Sequence, residues 1–279
     1  MSTGKVVTGS LKSLGLPQVL MRQSSLLRDN ESPWDTFRKT FTCDLAGPVI
    51  IAVHRSRPSH VVAIRQYAAE EADRMLHLFT QIQHDNIIMV KECYRFRGTV
   101  YARMDDLPLT LEHVVWCGSV YPTHQQLSLI VGQTYRERIL DGLSCLVSAG
   151  FEHMSLSCSN ILLDLAGNVK IGALEFCQEQ CLENSQPRMI KSLASIIMIL
   201  MQKHEKDERE DGLLMGVEDT DRWPLESSAF RFLLMTSSAG SIEELRQHAF
   251  VCPRPPKGEL VDLARFALIA ARISYSRIG

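Results

Sequence analysis

The sequence predicts an α+β chain of two unequal lobes, a small β-rich one followed by a large, mainly helical one. Three observations carry this. Between Thr40 and Met104, short apolar runs rich in β-branched residues alternate with turn signals, and a single helical repeat interrupts them. Beyond Thr123, apolar residues recur at helical spacing in Thr123–Ala149, in and around Leu193–Met201, in Ala229–Met235 and in Gly258–Ile278. At 279 residues and 45% hydrophobic content, the chain has room for one large domain or two lobes around a substantial core.

The first 31 residues are rich in Ser, Leu and Lys without clear periodicity, and read as a mobile arm or an extended segment lying on the first lobe. Val49–Val53 and Val61–Ile64 read as strands, with a turn at Arg55-Ser-Arg-Pro-Ser in which Pro58 and Ser59 are the breakers. Glu70–Gln83 has one apolar helical face, made of Ala72, Met75, Leu76, Phe79 and Ile82. Met89–Phe96 and Thr99–Met104 follow as two strands joined at Arg97-Gly98, a hairpin signal. Thr123 is a plausible N-cap for the long helix, and Gly150 is a natural residue just past its end. Ser241 and Glu244 form a capping box before a short helix. The tail Gly258–Ile278 is amphipathic, with Leu260, Leu263, Ala264, Phe266, Ala267, Ala270 and Ile273 on the apolar side, and is expected to dock back on the large lobe.

Composition removes several function classes. A formal net charge of -2 gives no field that would select nucleic acid or an anionic membrane. The 8 cysteines are irregularly spaced and complete no zinc pattern, which fits reduced thiols in an intracellular protein, cytoplasmic or nuclear. The opening MSTGKVVTGSLKSLG has no long apolar run, so no secretory signal is expected. Leu193–Met201, flanked by Lys191 and Lys203, is well short of the roughly 20 residues a membrane span needs.

The stretch most charged with chemistry is Gly150–Lys170, GFEHMSLSCSNILLDLAGNVK. It resembles the catalytic loop of protein kinases, H-R-D-L-K-P-x-N-I-L-L-D followed by G-x-V-K-I-x-D-F-G. His153 and Asn160 stand where that family has its histidine and its metal-binding asparagine. Ser155 replaces the aspartate that accepts the substrate proton, and a serine is no comparable base near neutral pH. Ser157 replaces the loop lysine. In Val169-Lys-Ile-Gly-Ala-Leu-Glu, Ala173 takes the place of the magnesium-binding aspartate and Glu175 that of the glycine. Glu175 lies two residues on, a shift of about 7 Å along an extended strand. His153 and Asn160 are expected to brace the loop, and Lys170 to be a solvated strand residue.

The resemblance covers roughly 40–251. Val62-Ala-Ile-Arg65 is similar to V-A-I-K, with Arg65 for the phosphate-pairing lysine. The glutamate that pairs with that lysine falls near Met75. The glycine-rich hairpin is reduced to Gly47 followed by Pro48, a poor phosphate cradle. Asp105–Leu107 resembles the hinge, and Ser241–Phe250 the closing helix.

The resemblance implies a bilobal protein kinase-like fold with a flexible N-terminal arm (1–31), an N-lobe (32–104), a C-lobe (105–252) and a helical tail (253–279). The degenerate positions Arg65, Met75, Ser155, Ser157 and Ala173 imply a pseudokinase, with no catalytic residues, no metal and no cofactor expected. Its action would be to engage a protein partner, such as an active kinase or a signalling complex, as scaffold or allosteric regulator. Residual nucleotide contacts would fall on Arg65, Asp105, Leu107 and Asn160. The alternatives are a divergent Ser/Thr kinase using ATP and Mg2+, with Asn160 and Glu175 as metal ligands, or a module that binds ATP without transfer.

Overall fold

A computed structural model of the chain describes residues 26–116, 138–180, 185–202, 217, 220–221, 223–248, 250 and 258–275. The expected helix before residue 138, the charged run Lys203–Asp211 and the prolines 253–256 lie outside them. Strands come first: β1 (Leu27–Asp29), a one-turn helix α1 (Pro33–Thr36), β2 (Phe37–Asp44), β3 (Pro48–His54), β4 (Arg57–Tyr67), helix α2 (Ala69–Gln81), β5 (Val90–Phe96) and β6 (Thr99–Asp105). After Asp105, helices dominate: α3 (Leu111–Trp116), α4 (Leu140–Ser148), α5 (Ser185–Gln202), α6 (Ser228–Thr236), α7 (Ile242–Arg246) and α8 (Gly258–Tyr275). Between them run the short strands β7 (Leu109–Thr110), β8 (Phe151–His153), β9 (Ile161–Leu163), β10 (Val169–Ile171) and β11 (Cys177–Glu179). This is the α+β, two-part arrangement of a kinase-like fold.

The first part is a six-stranded sheet in the order β1-β5-β6-β4-β3-β2. Alternation along its strands builds two cores on opposite faces. Ile51 and Ala63 join the main core with Met75, Leu76 and Phe79 of α2. Ala52, Val62, Ile64 and Tyr94 form a second cluster, closed by Trp34 and Phe37. The described end of the N-terminal arm is the sheet's edge strand: β1 pairs parallel to β5, with Leu27 opposite Cys93. Glu92 fastens it, accepting from Arg28 Nη2 at 2.7 Å, Tyr94 Oη at 2.8 Å and Arg103 Nε at 2.9 Å. Burial alone would raise the Glu92 carboxyl, but these donors outweigh it and hold its pKa below the usual value.

Two expectations need correction here. The β3–β4 turn is only Arg55-Ser56, and Pro58 and Ser59 lie inside β4. Pairing jumps from His54 opposite Arg57 to Val53 opposite Val61, so 58–60 bulge out of the ladder and Pro58 forfeits no ladder bond. In α8, Leu260, Ala264 and Ala267 are buried as the helix packs on α3 and β7, but Phe266 is 55% exposed. At about 100° per residue, two positions beyond Ala264 put Phe266 on the far side of the helix.

Capping follows the sequence. Ser241 Oγ accepts from Glu244 N, while the Glu244 carboxylate reaches back one residue further than the box requires, to Gly240 N. Trp223 is fully buried and donates to the Met201 carbonyl at 3.1 Å, tying α5 to the segment before α6. Cys43, Cys93, Cys145, Cys158 and Cys177 are free thiols. Burial pushes Cys93 and Cys177 up to about 12, so both stay protonated and inert.

Candidate functional site

β8, a 3₁₀ turn at Cys158–Asn160 and β9 carry the loop that held the sequence's polar residues. His153 is completely buried, and its Nε2 donates to the Gly172 carbonyl at 3.0 Å. Asn160 is 7% exposed; its Nδ2 donates to the Ser155 carbonyl at 2.5 Å, and its own carbonyl accepts from Gly172 N at 2.8 Å. Both side chains therefore brace the loop against the strand that follows. The Ser157 hydroxyl is engaged with Ser159 at 2.8 Å. Lys170 is not simply solvated: it is half-buried, which lowers its pKa, and its Nζ donates to the Asp85 carbonyl at 2.7 Å.

His153 carries a pH dependence. Burial lowers its pKa below the ordinary 6.5, only partly offset by the backbone acceptors at Gly172 and Ala173. With Nε2–H spent on Gly172, Nδ1 is a buried atom with no partner among the described residues, and a second proton there would meet no acceptor. The unfolded chain thus binds a proton that the folded chain refuses, so stability falls as pH drops through about 6.5. Burial lowers His248 as well, which adds in the same direction. Tm is expected to decline on acidification from pH 7.5 to 5.5, and His153→Gln, which keeps a donor for Gly172, should flatten that decline in a calorimetric pH series.

Arg65 lies on β4 and is 5% exposed. Its Nη1 donates to both carboxylate oxygens of Glu175, at 2.8 and 2.9 Å. Its Nη2 donates to the carbonyls of Leu45 (3.1 Å) and Ala46 (2.5 Å) at the β2–β3 tip. That tip has come down onto the pair. A Cβ added at Gly47 (φ +106°) would stand 3.1 Å from Arg65 Nη2 and 3.2 Å from Glu175 Oε1. Ala46 is 1% exposed and rests on the backbone of Gly172, where an added Cβ would lie 2.9 Å from the Ala46 methyl.

Among the described residues, the cleft holds a cavity of about 20 Å³ lined by residues that include Leu45, Val49, Met104, Leu107, Leu162 and Ala173. That is room for about one water and far too little for a purine. Of the four residues on which residual nucleotide contacts would fall, Arg65, Asp105 and Leu107 border this space, and Asn160 is not among its lining residues. The Asp105 carboxylate faces Lys91 at 3.3 Å. Ala173 is buried in the left-handed region at φ 51°. Among the described residues, no group of three or more His, Cys, Asp or Glu is placed to hold a metal ion.

Met75 is fully buried on the inner face of α2, so that position is now core. Its neighbour Arg74 supplies a tie that sequence reasoning missed. Arg74 donates to the Glu175 carbonyl at 3.0 Å and the Cys177 carbonyl at 3.1 Å, fixing α2 to the turn that carries Glu175. The Arg65–Glu175 pair was missed too. The signal available was a pair of opposite charges replacing a lysine and a glycine in two motifs that the fold brings together.

Comparison with known proteins agrees with this architecture. No family model matches the chain. Curated relatives include mitogen-activated protein kinase kinase kinase 3 of Arabidopsis thaliana, 35% identical over 108 residues, which is 38% of this chain and 18% of that protein. The STE20-related kinase adapter protein strd-1 of Caenorhabditis elegans is 24% identical over 156 residues, 53% of this chain and 39% of the relative. Serine/threonine-protein kinase STE20 of Debaryomyces hansenii is 29% identical over 140 residues, 48% of this chain and 12% of the relative. The chain thus spans well under half the length of each. Over these partial stretches the chain is similar to protein kinases and to a kinase-related adapter.

Proposed function

We propose that the chain is a catalytically impaired kinase-like domain that acts by binding another protein, as a scaffold or allosteric regulator. The observation that carries this reading is the state of Arg65. At the strand position that resembles the phosphate-pairing lysine, a buried guanidinium is committed to an internal carboxylate and two hairpin carbonyls. Phosphoryl transfer is mostly positioning and charge stabilisation. Ser155 and Ala173 supply neither the base nor the metal ligand that such positioning needs, and the Asn160 Nδ2 bond to the Ser155 carbonyl gives that side chain a role in bracing the loop. The partner would be a protein, an active kinase or a signalling assembly; the adapter among the relatives supports that class. Among the described residues, no helix is long and apolar enough to cross a membrane.

Thermal-shift titration with ATP, with and without Mg2+, tests the reading. No stabilisation is expected in either series up to millimolar nucleotide. A clear Mg2+-dependent rise in Tm would count against it. Transfer of radiolabelled phosphate that is abolished by Asn160→Ala would replace it with a divergent active kinase.

A further inference from the structure

We infer that Glu175 is a tethered internal competitor that occupies the anion seat of Arg65, and that helix α2 controls whether it stays there. This rests on the reading of the cleft as filled by the chain's own residues, and goes beyond it by naming what fills it and what would empty it.

A guanidinium has five N–H donors in a planar fork suited to carboxylate and phosphate alike. In Arg65, Nη1 is taken by the Glu175 carboxylate and Nη2 by the Leu45 and Ala46 carbonyls. Nε, fully buried, has no partner among the described residues. The arginine therefore retains the capacity to bind an oxyanion, and among the described residues the anionic group it contacts is the chain's own Glu175. The Glu175 side chain keeps 20% of its surface exposed, against 6% for that of Arg65, so the carboxylate is the member of the pair nearer to solvent.

The competitor is held in place from outside the cleft. Its turn is stitched at Phe176, whose N–H donates to Ala173 and whose carbonyl accepts from Met154 N. Arg74 adds the two bonds from α2 to the carbonyls of Glu175 and Cys177. Such a tether presents the carboxylate at high effective concentration, and an external polyphosphate must compete with it. The same bonds couple the sites: a partner that draws α2 away from the turn removes the support that holds Glu175 on Arg65.

The test uses the full chain and inorganic pyrophosphate as the probe, read by isothermal titration and thermal shift at matched ionic strength. Glu175→Gln keeps the side chain's bulk and removes its charge; Glu175→Gly removes both. At least one is expected to bind pyrophosphate about tenfold or more tightly than the unmodified protein. Arg65→Met in the same background should abolish that gain. Arg74→Ala should produce a smaller gain in the same direction.

A folded Glu175 variant with no gain overturns the inference, as does a gain that survives Arg65→Met. If neither variant folds, the pair is a fixed structural requirement and not a displaceable one, and the inference also fails. The proposed function stands or falls separately, on the response of the unmodified protein to ATP.

Discussion

Arg65→Ala is expected to lower the stability of the chain by about 3 kcal/mol, the low end of the cost of breaking a buried pair. Without the guanidinium, the Glu175 carboxylate and the carbonyls of Leu45 and Ala46 lose their donors in a largely buried place. Leu45 and Ala46 are 8% and 1% exposed, so their carbonyls cannot be rehydrated unless the hairpin lifts. The Glu175 side chain, at 20% exposed, recovers part of its solvation, which is why the low end applies. The double change Arg65→Met/Glu175→Leu should recover only part of that loss, because it removes the unmet carboxylate but leaves the carbonyls of Leu45 and Ala46 without their donor. Urea titration of the unmodified chain, Arg65→Met, Glu175→Leu and the double change measures the coupling. A loss below about 1 kcal/mol for Arg65→Ala would mean that the pair contributes little, and that the hairpin is held down by the packing of Ala46 on Gly172 instead.

The hairpin and its ion pair mark the limit of what the sequence made legible. Helix α2 was readable because its buried face is a local period: Ala72, Met75, Leu76 and Phe79 repeat every three or four residues, and all are buried. The frame of the loop was readable too, since Ile161–Leu163 is a short apolar run and an evident turn separates it from Val169–Ile171, whose outer two residues are apolar and β-branched. The proposed loss of chemistry at Ser155, Ser157 and Ala173 rests on residue identities alone. What filled the cleft instead did not follow from any local pattern. Arg65 and Glu175 are 110 positions apart, and their meeting depends on a hairpin tip small enough, at Ala46 and Gly47, to settle on Gly172. The strand β1 was hidden differently. Leu27-Arg-Asp29 is too short for a period-2 signal, and what fixes it is the edge of β5 and the Glu92 carboxylate, both contributed by distant sequence.

The segment leading out of β1 carries the second large effect, Phe37→Ala, expected to cost about 3–5 kcal/mol. Because β1 and β2 occupy opposite edges of the six-stranded sheet, residues 30–36 must cross its outer face to connect them. Asn30, at φ 60°, ends β1 with its N–H on the Arg95 carbonyl; Ser32 then caps α1, with Pro33 in its first turn. The crossing brings Trp34 edge-on to Tyr101, with ring centroids 5.6 Å apart, and delivers Phe37, 3% exposed, onto Ala52, Val62, Ile64 and Tyr94. These form the whole buried part of a small core separate from the main one, so a cavity at Phe37 has few large neighbours able to collapse into it. Loss of Phe37 should also free the strap, so hydrogen exchange in β1 and α1 is expected to rise before that of α2, which belongs to the other core. Lys39→Ala, which removes only an exposed cation stacked 4.0 Å above the Trp34 ring, should change stability by less than about 1 kcal/mol. If Phe37→Ala costs no more than Lys39→Ala in urea titrations, the strap is ornamental to the sheet. If it costs the full amount while β1 stays protected, the strand and the outer core are independent, and Glu92 alone holds the edge.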